Sequence, residues 1–317
     1  MIFLSDFRGK PLSRISYLLP RMSECSKKSN KFVFKIPGSI LLNYILMEYY
    51  ILYNGGKIFY TDSGKGETIV LLHGYLESSD VWSGFAEKLS NKFRVISVDL
   101  PGHGRSTVFG ESHSMEFMAA AVNELLVILN IKKAFLTGHS LGGYVALAFI
   151  ELFPEQLAGY SLFHSHPFED TPEAIAKRER EIRIVRAGKK YLMYPDNVSA
   201  MFADSNLDKF SEALKNSKGI ASRIPDIGII AVLNGMIIRP SRLSVMERGR
   251  VPCLWILGKM DNYIPCETIQ KKVKLPANAK VVVLENSGHL GFIEEEERSV
   301  EVLARFIEEF KDEGDHL

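Results

Sequence analysis

The chain has 317 residues, 46% of them hydrophobic and 24% charged, which is the composition of an ordinary globular protein with one large domain or a domain plus an insertion. Its 39 Lys and Arg balance its 38 Asp and Glu, and this balance argues against a nucleic-acid binder. The three cysteines, Cys25, Cys253 and Cys266, are too scattered for a disulfide scaffold or a zinc ribbon. Because no run of about 18 apolar residues occurs, the sequence predicts no membrane-spanning helix.

Residues 1–46 are basic and rich in serine. They contain eight Lys or Arg and two acidic residues, and they lack the compact apolar region and the small-residue cleavage site of a secretory signal. We expect a poorly ordered extension that takes no part in chemistry, or residues upstream of a true start at Met47. A basic, acid-poor segment is also typical of an organellar transit peptide, so that alternative stays open.

From about Met47 the chain alternates between strand and helix patterns. Two runs on either side of a Gly-Gly pair predict an antiparallel hairpin at a sheet edge, at Tyr49–Tyr53 and Lys57–Thr61. Short apolar runs predict buried strands at Thr68–Leu72, Arg94–Val98, Ala134–Thr137, Ala158–Phe163, Val251–Leu257 and Val281–Leu284. Apolar residues at helical spacing predict helices at Met118–Leu129, Leu141–Leu152 and Val300–Phe310. This alternation predicts an α/β fold with a doubly wound, mostly parallel sheet.

One interval interrupts this alternation, because the 87 residues between Phe163 and Val251 contain no convincing strand. Helices are predicted within it at Pro172–Ala187, Leu207–Lys215 and Ile227–Ile238. We expect residues 166–243 to form a helical cap on a core made of residues 47–165 and 244–317. The apolar third helix is expected to line a substrate pocket with Leu233 and Met236. The alternating charges of the first helix indicate a solvated face.

The segment Gly138–Gly143, which reads Gly-His-Ser-Leu-Gly-Gly, follows a predicted strand and opens a predicted helix. At such a place the pattern G-x-S-x-G predicts a strained turn that lifts the hydroxyl of Ser140 clear of the sheet. The N–H of Leu141 then lies at a helix N-terminus, where it stabilises developing negative charge. The pattern alone arises by chance, so its position between strand and helix carries the prediction.

A serine nucleophile needs a base, and the base needs an orienting carboxylate. His289 follows the last predicted strand and Asp261 follows the strand before it, so both are expected at the sheet edge that carries Ser140. The chain order Ser140, Asp261, His289 is that of one serine hydrolase architecture. A helix-capping role for Asp261 is the alternative. Other loop histidines are expected to be solvated, namely His103, His113, His139, His164 and His166.

A second oxyanion donor is expected from His73-Gly74-Tyr75, which follows another buried strand. Gly74 permits the bend there, and the N–H of Tyr75 is the candidate donor. The later segment Asp99–Ser106 lacks the GK[ST] sequence of a phosphate loop. We predict that it is structural and that Arg105 makes internal hydrogen bonds.

Five segments resemble, in order and spacing, those of the α/β-hydrolase superfamily, and in particular its small esterase-like members with a helical cap: His73–Tyr75, Asp99–Ser106, Gly138–Gly143, Gly258–Pro265 and Ser287–Leu290. The resemblance covers about Met47–Glu313. It implies that Ser140 is the nucleophile, His289 the general base and acid, and Asp261 the orienting acid. Ser at this turn, in place of Asp, argues against an epoxide hydrolase or a haloalkane dehalogenase. The single His-Gly before Tyr75 departs from the HGGG loop of many lipases.

The main hypothesis is therefore a carboxylic ester hydrolase that acts on small or medium apolar esters through an acyl-enzyme. Thioesterases, lactonases, carbon–carbon bond hydrolases, cofactor-free peroxidases and some lyases use the same triad and remain alternatives. Two further alternatives are a slow-turnover ligand-binding receptor of this fold and a protein-interaction role for the charged helix Pro172–Ala187.

The expected partner is a small-molecule ester, with no nucleic acid, and the oligomeric state is left open. No cofactor is expected, and no metal, since no His, Asp or Glu group has ligand spacing on one element. The odd cysteine count and the missing secretory signal favour a cytoplasmic protein.

Overall fold

Runs of β-branched and apolar residues form one nine-stranded sheet in the computed structural model, which describes residues 33–36 and 47–311. The strands are β1 (Val33–Ile36), β2 (Met47–Tyr53), β3 (Gly56–Ser63), β4 (Thr68–Leu72), β5 (Arg94–Val98), β6 (Ala134–His139), β7 (Leu157–Phe163), β8 (Cys253–Gly258) and β9 (Ala279–Leu284). Their order across the sheet is β1-β2-β3-β5-β4-β6-β7-β8-β9. The predicted fold class, α/β with a doubly wound and mostly parallel sheet, is confirmed.

The first three strands are antiparallel, and β4 to β9 are parallel to one another. The hairpin of β2 and β3 turns at Asn54 and Gly55, both with positive φ, of 45° and 79°. The predicted hairpin is therefore present, but β2 is not at the edge, because β1 pairs with it. Of the predicted extension 1–46, only Val33–Ile36 is described, and the rest of that prediction lies outside the described residues.

Helices cover both faces of the sheet, because alternate residues of a strand point to opposite faces. Val70 and Leu72 of β4 pack in one apolar core with the long central helices, whereas Ile69 and Leu71 pack in a second core with the first and last helices. The helices are α1 (Ser83–Ser90), α2 (Met115–Ile128), α3 (Leu141–Leu152), α4 (Pro172–Arg186), α5 (Tyr194–Ser199), α6 (Ser211–Arg223), α7 (Asp226–Ile237), α8 (Leu243–Glu247), α9 (Cys266–Gln270), α10 (Gly291–Glu294) and α11 (Glu296–Phe310).

Helices α4 to α8 lie in the interval between β7 and β8 where no strand was predicted. Helix α4 begins as predicted, because the Thr171 hydroxyl accepts the N–H of Ala174 and Pro172 takes the first helical position. Helix α6 begins four residues later than predicted and runs to Arg223, because its apolar face continues to the buried Ile220 and Ala221. The boundaries 166–243 of the cap stay a prediction.

No single helix within the described ranges has the length and apolar composition needed to cross a membrane. The pair α6 and α7 passes the same test when taken together, but the two helices meet at 95°.

Candidate active site

Ser140 lies at the turn between β6 and α3 with a positive φ, in a backbone conformation of φ 48° and ψ −110°. This is unfavourable for a residue with a side chain, and such strain is typical of functional turns. The glycines of the motif allow the close packing around the turn. A Cβ on Gly142 would lie 2.3 Å from the carbonyl oxygen of Leu72, and one on Gly138 would lie 2.2 Å from that of Gly142.

The N–H groups of Leu141 and Tyr75 are the two predicted oxyanion donors, and Tyr75 lines the same cavity as Ser140. Leu141 is the first residue of α3, so its N–H has no acceptor inside the helix. The loop of Tyr75 is shaped by Gly74, whose N–H donates to Glu77 Oε2 at 2.5 Å, and by the positive φ of 63° at Leu76. Within the part of the chain that the structure describes, the N–H of Tyr75 donates to no acceptor. Both amides are therefore available to a ligand.

Asp261 and His289 meet at the carboxyl ends of β8 and β9, with Oδ2 of the aspartate 2.7 Å from Nδ1 of the imidazole. The other oxygen, Oδ1, accepts the N–H groups of Tyr263 at 2.8 Å and Ile264 at 3.0 Å. Burial would raise the pKa of Asp261, but the charge of His289 and the bonds from its imidazole neighbours outweigh burial and hold that pKa well below its usual range. The carboxyl group is therefore an anion at neutral pH.

A second imidazole, which the sequence did not point to, also faces this carboxylate. His164 Nδ1 lies 3.4 Å from Asp261 Oδ2, and His164 Nε2 accepts the N–H of Gly291 at 3.1 Å. Burial lowers the pKa of His164 to about 4, so the ring is neutral above that pH. Ligand atoms of His164, Asp261 and His289 lie within 4.8 Å of one another, and among them His289 Nδ1 and Asp261 Oδ2 form a hydrogen bond.

Ser140, His289 and Tyr75 line one cavity of about 340 Å³. The structure thus brings the predicted serine and histidine to the same cavity, with Asp261 behind the histidine. One face of α4 closes the opposite side through residues spaced three and four apart: Ala174, Lys177, Arg178 and Glu181.

Helix α4 has the exposed charged face that its sequence indicates, and another face of the same helix lines the cavity. One expectation about this cavity is wrong. Of the two α7 residues expected to line it, Met236 does so, whereas Leu233 is fully buried in the larger apolar core. The reason is that α7 packs against α4, and this contact turns most of its apolar side chains away from the cavity.

Charged groups make the cavity wall polar. Asp170 binds Arg178 through both carboxylate oxygens, at 2.6 and 3.1 Å, and Arg239 at 2.7 Å. Burial would raise the pKa of Asp170, but the two guanidinium groups lower it below its usual range. Glu181 accepts the hydroxyl of Tyr75 at 3.2 Å, which joins α4 to the loop of the candidate oxyanion donor.

The expectation that the other loop histidines are solvated is wrong for His103, His113, His139 and His164, which are 0% exposed. His113 accepts the N–H of Phe109 at 2.9 Å, and His103 accepts that of Leu76. Burial lowers the pKa of His103 and His113, so both rings stay neutral near pH 7. Buried loop amides need acceptors, and in this fold imidazole rings supply several of them.

Arg105 makes the internal bonds predicted for it. Its backbone N–H and its Nε donate to Asp99 Oδ2, at 2.7 and 3.3 Å, and its Nη2 donates to Ser79 Oγ at 3.3 Å. The guanidinium also lies 3.8 Å over the ring of Phe59. The segment Asp99–Ser106 is thus a turn that internal hydrogen bonds hold in place.

Comparison with known proteins identifies the family. Residues 67–179 match the family model of the alpha/beta hydrolase fold. The pimeloyl-[acyl-carrier protein] methyl ester esterase of Methylococcus capsulatus is 27% identical over 259 residues, which are 79% of this chain and 98% of that protein. The dihydrolipoyllysine-residue acetyltransferase component of an acetoin cleaving system from Pseudomonas putida is 30% identical over 261 residues, which are 80% of this chain and 67% of that protein.

Comparison with a solved structure supports the same family. A thermophilic esterase from Thermogutta terrifontis superposes with a TM-score of 0.77 and 26% sequence identity, over 88% of this chain and 99% of that chain. The residues that match the family model include the turn at Ser140. The chain belongs to the α/β-hydrolase superfamily and is a hydrolase of that fold.

Proposed function

We propose that the protein is a serine esterase that cleaves small carboxylic esters by two steps of acyl transfer. The observation that carries the proposal is the 2.7 Å contact of His289 Nδ1 with Asp261 Oδ2, on an imidazole that lines the same cavity as Ser140. Relatives named as esterases support ester cleavage. No step of the proposed reaction needs a cofactor.

In the first step, Ser140 Oγ attacks the ester carbonyl carbon, and its proton passes to His289 Nε2. Because Nδ1 is engaged by Asp261, Nε2 is the ring nitrogen that is left for this proton. The carbonyl oxygen becomes an oxyanion, which the N–H groups of Leu141 and Tyr75 stabilise. Collapse of this intermediate breaks the carbon–oxygen bond to the alcohol, and His289 gives its proton to the leaving oxygen.

In the second step, water attacks the acyl-Ser140 ester. His289 takes one proton of the water, the same amides hold the new oxyanion, and the bond to Ser140 Oγ breaks. Oγ recovers its proton from His289, and the carboxylic acid leaves. Asp261 stays ionised throughout and stabilises the imidazolium that forms twice.

The cavity supports a small substrate that can form hydrogen bonds. A volume of about 340 Å³ is at the lower end of ligand pockets. Its wall includes the charged side chains of Asp170, Lys177, Arg178 and Glu181, so a long apolar acyl chain would displace water from these groups and offer them no hydrogen bond in return. We therefore favour short acyl groups over the medium apolar chains of the original hypothesis.

Replacement of the nucleophile tests the proposal. In Ser140→Ala, turnover of p-nitrophenyl acetate and butyrate should fall to the uncatalysed background, because no hydroxyl remains to form the acyl-enzyme. The matched control is Ser222→Ala, which removes a hydroxyl bound to the carbonyl of Gly219 on α6 and should keep wild-type turnover. Undiminished hydrolysis by Ser140→Ala would refute the mechanism. A parallel panel of octanoyl ester, thioester and lactone substrates identifies the preferred acyl derivative.

A further inference from the structure

Glu77 and His139 form a buried pair that does not line the cavity. Glu77 is 4% exposed and His139 is 0% exposed, and Glu77 Oε2 lies 2.9 Å from His139 Nδ1. Glu77 follows the loop of Tyr75, whereas His139 is the residue directly before Ser140. Neither takes a part in the chemistry proposed above, so their burial at this place needs another explanation.

Each member of the pair holds a different loop. Glu77 Oε2 also accepts the N–H of Gly74 at 2.5 Å, next to the proposed oxyanion donor. His139 Nε2 donates to the backbone carbonyl of His289 at 2.8 Å. Since His139 also precedes the proposed nucleophile, the pair connects the three loops that carry the donor, the nucleophile and the base.

Packing around the pair fits this arrangement. A Cβ on Gly74 would lie 2.7 Å from His139 Nδ1 and 2.8 Å from Glu77 Oε2, so glycine lets the backbone approach both side chains. The centroid of the His139 ring lies 5.0 Å from that of Phe292 and 4.9 Å from that of His289. Ring packing therefore fixes the orientation of the imidazole together with its hydrogen bonds.

The hydrogen-bond partners of Glu77 and His139 indicate which of their atoms carry a hydrogen. A carbonyl oxygen only accepts, so His139 Nε2 carries a hydrogen. Burial would raise the pKa of Glu77, but His139 and the N–H of Gly74 outweigh it and hold that pKa below its usual range. Glu77 is then ionised, and its Oε2 lies within hydrogen-bond distance of His139 Nδ1, at 2.9 Å.

The pair is not arranged for stability alone. Glu77 Oε1 is buried and has no hydrogen-bond partner within the described ranges, which costs stability. A buried ion pair is often no more stable than apolar residues of the same volume. What the pair does supply is a fixed geometry between loops that come from different parts of the chain.

We propose that Glu77 and His139 act as a positioning pair, which fixes the loop of the proposed oxyanion donor and the loop of His289 relative to Ser140. The inference rests on the proposed function, because these positions matter only if the loops carry catalysis. A shift of about 1 Å in a catalytic group costs about 10²-fold in rate. Neither residue touches the cavity, so we expect the loss in kcat and not in KM.

The experiment compares Glu77→Ala, His139→Ala and the double variant with wild type. The readouts are kcat and KM for p-nitrophenyl butyrate and the rate at which a fluorophosphonate labels Ser140, each per folded molecule. Each single variant should lower kcat about 10²-fold with KM unchanged within about threefold. The double variant should be no slower than the slower single variant, because the two residues act as one unit.

Two further variants separate positioning from loss of fold. Glu77→Gln keeps an oxygen for the N–H of Gly74 and should recover about tenfold of the kcat lost in Glu77→Ala. Leu303→Ala removes a fully buried side chain of α11 that lies in the same core as Phe292 but does not line the cavity, and it should lower stability while leaving kcat per folded molecule unchanged.

The possible results separate this inference from the proposed function. A wild type that neither hydrolyses esters nor labels at Ser140 overturns the proposed function, and this inference with it. A wild type that does both, together with single variants whose kcat is unchanged, overturns the positioning pair alone. Losses that multiply in the double variant, or that fall on KM, also contradict the pair, because they indicate independent or binding effects.

Discussion

At the scale of single residues, the two oxygens of Asp261 have separate partners. Oδ1 accepts two backbone N–H groups of its own loop, and Oδ2 faces the imidazoles of His289 and His164. The bonds that Oδ1 accepts hold the loop in shape. The contact of Oδ2 with His289 Nδ1 orients this imidazole and selects its tautomer. A substitution that changes Oδ2 but keeps Oδ1 therefore separates chemistry from folding.

Asp261→Asn is that substitution. The amide oxygen still accepts the backbone N–H groups, but an amide nitrogen in place of Oδ2 neither accepts the Nδ1 hydrogen of His289 nor stabilises an imidazolium. We expect kcat to fall about 10⁴-fold near pH 7.

The control is Asp62→Asn, which changes a carboxylate that binds Arg94 on β5 and lies outside the cavity. This variant should keep the wild-type kcat. A comparable kcat in Asp261→Asn would remove Asp261 from the proposed triad. Steady-state kinetics and the unfolding midpoint of both variants provide the measurement.

Some residues of the candidate site could be predicted from the sequence, and others could not. Ser140, Asp261 and His289 each follow a strand of a parallel sheet, and strand order alone brings such residues to one edge. Glu77 and His139 give no such signal, since their pairing depends on how two loops fold over each other. His139 lies inside the Gly-x-Ser motif, at the position that the motif leaves open, so a local pattern had no means of assigning it a role.

At the scale of elements, the glycine at the start of α3 differs from an ordinary helical glycine. A Cβ on Gly142 would approach the backbone oxygen of Leu72 to 2.3 Å, whereas one on Gly219 in α6 would meet nothing nearer than Arg223 Nη1 at 3.6 Å. Alanine in a free helical position gains about 0.5–1 kcal/mol over glycine. At Gly142 the clash with β4 reverses this sign.

We therefore predict opposite results for two matched substitutions. Gly142→Ala should lower the free energy of unfolding by about 1–3 kcal/mol, because the backbone of β4 must shift to accommodate the methyl group. Gly219→Ala should raise it by about 0.5–1 kcal/mol. Urea unfolding of both variants and of wild type measures the difference. If Gly142→Ala is as stable as Gly219→Ala, helix α3 does not pack as closely on β4 as the structure indicates.

Elements were predicted better in the sheet than in the helical interval between β7 and β8. The strands at Thr68–Leu72 and Arg94–Val98 match the apolar runs residue for residue, because both faces are buried and the sequence reports this directly. Helix α4 was also predicted, but its charged residues do not reveal that one face lines a cavity. Charge on a helix looks the same in sequence whether it faces solvent or an enclosed polar wall.

At the scale of the whole molecule, buried imidazole rings hold loops in place by accepting their backbone N–H groups. His73, His103, His113 and His164 each accept a backbone N–H as a neutral ring, and burial lowers the pKa of all four. The overall charge is only +1, so general charge repulsion does not dominate at neutral pH. Sensitivity to acid should instead come from these rings and from His166, whose pKa burial also lowers.

We expect the free energy of unfolding to fall as the pH drops below about 6.5. His164 and His166 have pKa values lowered by burial to about 4 and about 3, so near pH 5 they bind protons only in the unfolded chain. Unfolding therefore takes up protons in this window, and each such ring removes about 1.4 kcal/mol per pH unit until its folded pKa is reached. Below about pH 4.5, protonation of carboxyl groups whose pKa is lowered by folding, such as that of Asp170, continues the loss.

Denaturant unfolding at pH 7.5, 6.0 and 5.0, chosen to bracket the imidazole window, measures the slope. His166→Gln supplies the matched variant, because its amide can replace the ring as acceptor for the N–H of Phe168 but does not titrate. Its stability should fall less steeply with acid than that of wild type. Constant wild-type stability across this range would mean that the buried rings take up no protons on unfolding, and equal slopes in the two proteins would remove His166 from the set responsible.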